Sequence, residues 1–129
     1  MVSTVEDLWV ESIHCSFNES GVFVTRFTEE MYFSMKHSRL MNNYLKENTN
    51  KPLPNLVIAC PGVASDPEIL TKAAKKEAHR YISARAIVCD TLSHRILGNF
   101  FIKIQKPPVP TKMFSTEEQA LLWLEQFID

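Results

Sequence analysis

The chain is poor in the residues that most site chemistries require. Three glycines in 129 residues are too few for a phosphate-cradling loop, and Gly62 alone is far short of that signature. Cys15, Cys60 and Cys89 are an odd number at wide spacing, which argues against a disulfide framework and fits reduced thiols. His14, His37, His79 and His94 show neither an i, i+4 pair nor a cysteine spacing suited to zinc, so neither metal nor cofactor is expected. No apolar run reaches membrane-spanning length and no signal peptide opens the chain, so the expectation is a cytoplasmic protein without a membrane span. Charge of either sign is not concentrated: 14 basic residues face 15 acidic ones for a net charge of −1, leaving no field that would gather nucleic acid.

What is present is a pattern of alternating strands and helices. At 45% hydrophobic, a chain of this length fits one domain, residues 1–129, around a single core. The strongest element pair lies between Arg80 and Pro110. Ile82 to Cys89 is short, apolar and rich in β-branched residues, as expected of a strand buried on both faces. Asp90 or Thr91 then caps a helix on which Leu92, Ile96, Leu97, Phe100, Phe101 and Ile104 share an arc of about 180°. His94, Arg95, Asn99 and Lys103 occupy its other side with Ile102 alone among them, so the helix has apolar surface to spare for a second contact. Pro107, Pro108 and Pro110 end it.

Before this pair, Leu8 to Phe17 and Val22 to Phe27 read as a hairpin turning through Asn18-Glu19-Ser20-Gly21. Thr28 with Glu29 and Glu30 suits a helix start, and the helix is expected to reach about Glu47. Tyr32, Lys36, Arg39, Asn43 and Lys46 would share its narrow polar side, with Met31, Phe33, Met35, Leu40, Met41, Tyr44 and Leu45 over the remainder. Leu53 to Cys60 is a second core strand. Ser65-Asp66-Pro67-Glu68 is a capping box opening a helix towards Tyr81. Thr111 to Phe114 is a last strand, and Ser115-Thr116-Glu117-Glu118 is a second capping box opening Glu117 to Ile128. The order is β-β-α-β-α-β-α-β-α, an α/β fold with a mixed, mainly parallel sheet flanked by helices.

Few of these residues point to chemistry. Ser65 lies past a core strand at a helix start, where it serves either as a capping serine or as a phosphate acceptor favoured by free N–H groups. Cys60 and Cys89 lie at carboxyl ends of strands, the edge where open sheets place ligands, but neither has a basic neighbour to activate it. His37 belongs on the inner side of its helix as a hydrogen-bonded core histidine. His94, Arg95 and Asn99 form a solvated face or a receiver for an acidic ligand. Lys72, Lys75, Lys76, His79 and Arg80 are softened by Glu68 and Glu77, and Lys106-Pro107-Pro108-Val109-Pro110 is a stiff connector. No nucleophile, base and orienting group can be assembled, so an enzyme is not expected.

The stretches Ser93-His94-Arg95-Ile96-Leu97-Gly98-Asn99-Phe100-Phe101, Lys106-Pro107-Pro108 and Thr111-Lys112-Met113-Phe114-Ser115-Thr116-Glu117-Glu118-Gln119-Ala120-Leu121-Leu122-Trp123-Leu124 resemble a branch of small bacterial proteins with the STAS, or SpoIIAA-like, fold. That resemblance implies a non-enzymatic binding or regulatory module. Anti-sigma-factor antagonists of this fold carry a phosphorylatable serine in the element that Ser65 occupies, although Val63-Ala64 stand here where those proteins have an acidic residue. Relatives also bind lipids or other apolar molecules. Three functions follow as expectations: a homodimer or other protein contact through faces around Met31, Met35 and Ile102; a carrier or sensor of a small apolar ligand lined by Phe33, Met41, Phe100 or Phe101; and a phospho-switch through Ser65.

Overall fold

The computed structural model describes residues 6–59, 64–65 and 80–128, with residues 64, 65, 101 and 105 described by backbone alone. Residues 66–79 of the helix expected from Ser65 towards Tyr81, with Lys72, Lys75, Lys76 and His79, and also Cys60, therefore lie outside the described residues, while Arg80 and Tyr81 stand in a turn. Strands β1 (Leu8–Val10), β2 (Ile13–Phe17) and β3 (Phe23–Phe27) lead through the two-residue β4 (Tyr32–Phe33) into α1 (Met35–Asn48). There follow β5 (Leu53–Ile58), β6 (Ala64–Ser65), β7 (Ile82–Val88), α2 (Leu92–Gln105), β8 (Thr111–Phe114) and α3 (Glu117–Leu124), which ends in a 3-10 turn over Glu125–Phe127. The six-stranded sheet has the order β1-β2-β3-β5-β7-β8. Its first two pairings are antiparallel and the other three parallel, so the sheet is mixed and mainly parallel, as expected from strands alternating with helices.

Three local expectations are corrected. Leu8 to Phe17 is not one strand, because Glu11 adopts a positive φ of 53° and the chain folds back, pairing Val10 with Ile13 and Leu8 with Cys15. A positive φ at the first residue of a two-residue turn gives the twist that antiparallel strands accept, but glycine normally supplies it. The first helix does not start at Thr28. Thr28 instead donates both its hydroxyl and its N–H to Ser12 O, and Ser34 caps a helix that begins at Met35. His37 closes the cap by accepting the Ser34 N–H at Nδ1, 2.8 Å away, where a glutamate or glutamine would ordinarily reach back. The last helix is capped one residue later than the box suggests: Thr116 Oγ1 accepts from Gln119 N.

The sheet separates two apolar clusters. One holds Val22, Leu56, Ala84, Ala86 and Val88 against Ala120 and Leu124 of α3, with Phe114, Trp123 and Phe127 at its margin. The other holds Val10, Ile13, Cys15, Phe23 and Ile82 against Leu45 of α1. Alanines at 84 and 86, both fully buried, let α3 approach β7 closely, and full burial of Leu124 contributes on the order of 2 kcal/mol.

Candidate functional site

On β7 the residues facing α3 are Ala84, Ala86 and Val88, so strand alternation turns Arg85 and Ile87 to the opposite face, where α1 lies. Arg85 registers with Asn55 on β5 and with Thr111 on β8, and Asn55 registers in turn with Phe23 on β3. Asn55, Arg85 and Thr111 therefore form a polar row across β5, β7 and β8. Asn55, 3% exposed, donates Nδ2 to Phe23 O at 2.9 Å and to Thr25 Oγ1 at 3.3 Å. Its Oδ1 accepts Arg85 Nε at 3.1 Å. The amide orientation is thus fixed by a backbone carbonyl, and it fixes the guanidinium in turn.

The charge on Arg85 is poorly compensated. Ion pairs among the described residues join His14 to Asp7, Arg26 to Glu117 and His37 to Glu11, and none includes Arg85. Burial alone pushes its pKa down to about 10, because a charge in low-dielectric surroundings loses hydration. Arg85 as a whole still keeps some accessible surface. Two residues earlier on β7, at the point where the β5–β7 register shifts, Ser83 Oγ is buried with no hydrogen-bond partner among the described residues.

The second feature is α2. Its apolar arc was expected on the core side, with His94, Arg95, Asn99 and Lys103 outside; His94, Asn99 and Lys103 are exposed, whereas Arg95 and Ile102 turn inward and much of the apolar arc is left outside. Gly98 faces β8 so closely that a Cβ there would lie 2.7 Å from Met113 Cε and 2.8 Å from its Sδ. Half-buried Arg95 donates Nη1 to Cys89 O at 2.7 Å, and Ile102 is half-buried. Leu92, Ile96, Leu97 and Ile104 are instead 64%, 61%, 52% and 56% exposed. Periodicity specifies a face but not which surface it meets, and here the small residue selected the side that touches the sheet.

The other expected residues divide between the two features. Met31, Phe33 and Met41 are half-buried against the cluster under α1. Met31 Sδ accepts from Ser12 Oγ, and Phe33 stacks on His37. His37 is a buried, hydrogen-bonded residue as expected, held between Ser34 and the Glu11 carboxylate. Met35 is half-buried at the start of α1, Phe100 is exposed on α2, and the Phe101 side chain is not described. Ile102 thus lies away from the exposed arc that holds Phe100. Ser65 is the second residue of β6 and registers with Phe33 of β4. Cys15 and Cys89 are both buried free thiols. Arg85 and Asn55 escaped the sequence reading, although two polar residues inside otherwise apolar strands were a visible signal.

Residues 17–128 match the family described as a domain of unknown function, DUF7793. The chain belongs to that family. Among solved structures, an uncharacterised DUF3478-family protein from Shewanella loihica PV-4 with a SpoIIAA-like fold is similar, at a TM-score of 0.58 and 13% identity, over 87% of this chain and 91% of that one. An Arthrobacter sp. FB24 protein of unknown function is 21% identical over 86% of this chain and 97% of that one, at a TM-score of 0.30. No curated protein matches. The DUF7793 chain thus has the SpoIIAA-like fold anticipated from its C-terminal motifs. Among the described residues, no helix is long and apolar enough to cross a membrane.

Proposed function

We propose that this DUF7793 protein is a cytoplasmic, non-enzymatic binding module that acts by protein contact, pairing with a second copy through the outer face of α2. The observation that carries this is the row Leu92, Ile96, Leu97 and Ile104, more than half exposed at every position on a helix whose other side is applied to the sheet. Full burial of a leucine or isoleucine is worth about 1.5–3 kcal/mol. Covering the exposed parts on two copies therefore yields roughly 10 kcal/mol before association costs of at least about 4 kcal/mol, and the remaining roughly 6 kcal/mol corresponds to a dissociation constant on the order of tens of micromolar. A second copy also suits the charges at the helix ends. Antiparallel pairing about an axis near Gly98 sets Asp90 opposite Lys106, and opposite charges at an interface favour that register. Free Cys15 and Cys89 agree with a reducing compartment.

Light scattering over a concentration series tests this reading. The wild type is expected to dimerise progressively above about tens of micromolar, and Ile96→Glu/Leu97→Glu to remain a folded monomer whose melting temperature no longer rises with protein concentration. A wild type that stays monomeric when concentrated defeats the proposal.

A carrier or sensor of a small apolar ligand is a second reading, favoured by the polar row set into the apolar face beneath α1. Ser65 as a phospho-acceptor is a third: β6 registers it with Phe33, one residue before the α1 cap, so added charge there would act at that helix start. Phosphopeptide mass spectrometry of protein from its native cells tests it, and Ser65 unmodified across growth conditions removes it.

A further inference from the structure

We propose that Arg85 is the receptor for the head group of a small molecule that carries one carboxylate on an apolar body. The inference rests on the ligand-carrier reading and specifies its chemistry. A guanidinium at the middle of a sheet is costly unless paired, because an isolated charge loses several kcal/mol of hydration. The fold retains this cation and orients it: Nε is held by Asn55, and Asn55 is held by the Phe23 carbonyl and Thr25. Among the described residues the Nη donors have no acceptor and no carboxylate forms an ion pair with Arg85. Ser83 Oγ adds a second unused hydrogen-bonding group on the same strand.

The geometry of the group selects the ligand. Guanidinium forks bind carboxylates in bidentate fashion, and a single negative charge neutralises a single cation, whereas a phosphate dianion would leave net charge in a low-dielectric setting. The surrounding face is apolar. Phe23 registers with Asn55, Ile87 stands two residues after Arg85 on β7, and Met113 registers with Ile87. A free fatty acid and an aromatic acid share this chemistry, and the choice of probes separates them.

The experiment is a thermal-shift titration of the full chain with octanoate, phenylacetate, 1-octanol and inorganic phosphate. Octanoate or phenylacetate is expected to raise the melting temperature progressively, with 1-octanol at least tenfold less potent and phosphate inert. Arg85→Met is expected to weaken the carboxylate response at least tenfold, read as the ligand-induced shift from each protein's own unliganded melting temperature. Arg85→Lys, which keeps the charge and loses the fork, is expected to fall between them. Equal responses to octanoate and 1-octanol overturn the carboxylate receptor while leaving the ligand-carrier reading intact, and no response to any organic probe overturns both. A response to phosphate matching that to octanoate also overturns the proposal. Should Arg85→Met fail to fold, the acid and alcohol comparison on the wild type still decides.

Discussion

Replacing Asn55 with alanine is the sharpest test of whether the row beneath α1 behaves as one unit. The substitution strips Arg85 Nε of its acceptor and removes the bonds to Phe23 O and Thr25 Oγ1. A hydrogen bond to a charged group is worth about 1.5–3 kcal/mol and a neutral one about 1 kcal/mol. With the small cavity left behind, the expected cost is about 4 kcal/mol, a large share of a typical total of about 5–15 kcal/mol. In urea, where a domain of this size loses about 2 kcal/mol per molar, the midpoint should fall by about 2 M with an unchanged slope. The control is Arg85→Met. Because it removes the charge that needs Asn55, Asn55→Ala should cost about 2 kcal/mol less in that background than in the wild type. A coupling within about 0.5 kcal/mol of zero would refute the account, since Asn55 would then be stabilising β3 and β5 with no part in holding the guanidinium.

Two further outcomes test the packing. Gly98→Ala gains about 1 kcal/mol of helix propensity and meets only the flexible outer end of the Met113 side chain, which can swing aside. A net change within about 1 kcal/mol is expected in urea titration, and Met113→Ala, which vacates the space, should make Gly98→Ala more favourable than it is in the wild type; an unchanged effect in that background would mean that Met113 does not limit the approach of α2. Burial pushes the Cys15 thiol up to about 12 from 9.0. Below pH 9 both folded and unfolded chains hold its proton, and above pH 9 the unfolded chain releases it first, so stability should fall by up to about 1.4 kcal/mol per pH unit towards pH 12. Urea midpoints at pH 8, 9 and 10 should show the decline beginning near pH 9, and Cys15→Val should flatten that first part; an identical slope in the variant would assign the decline to other groups, such as Tyr44, whose pKa burial and then the charges of Asp7 and Cys15 push up to about 12.

The elements that composition and period specify strongly were legible. Ile82–Val88 and the helix after it stand where the apolar run and its cap indicate, and Leu53–Ile58 and Thr111–Phe114 flank β7 as parallel strands. What escaped was decided by contacts remote in sequence. Thr28-Glu29-Glu30 has the chemistry of a helix start, yet Thr28 is taken by Ser12 and the start passes to Ser34, where a histidine closes the cap. Glu11 carries no compositional sign of a positive φ; its carboxylate reaches His37 on α1, a contact 26 residues away in sequence. The candidate site was legible only in part. Met31, Phe33 and Met41 do gather under α1, but the cation at the centre of that same face belongs to a strand read as wholly apolar.

Both candidate surfaces trace to one consequence of strand and helix geometry. A sheet flanked on both faces must hide alternate residues of β7 on opposite sides, and α3 takes the small ones at 84 and 86. Whatever stands at 85 is thereby committed to the other face, next to a strand whose Asn55 is already anchored to the Phe23 carbonyl. On that face α2 touches β8 through Gly98, which needs close approach and therefore cannot also present a bulky apolar side inward. The leucines and isoleucines of α2 must then point outward. If that reasoning holds, enlarging residue 98 should loosen the sheet contact without altering self-association, whereas charging residues 96 and 97 should abolish association without loosening the sheet. Finding both properties lost together in either variant would show that the outer face of α2 and its seat on β8 are not separable.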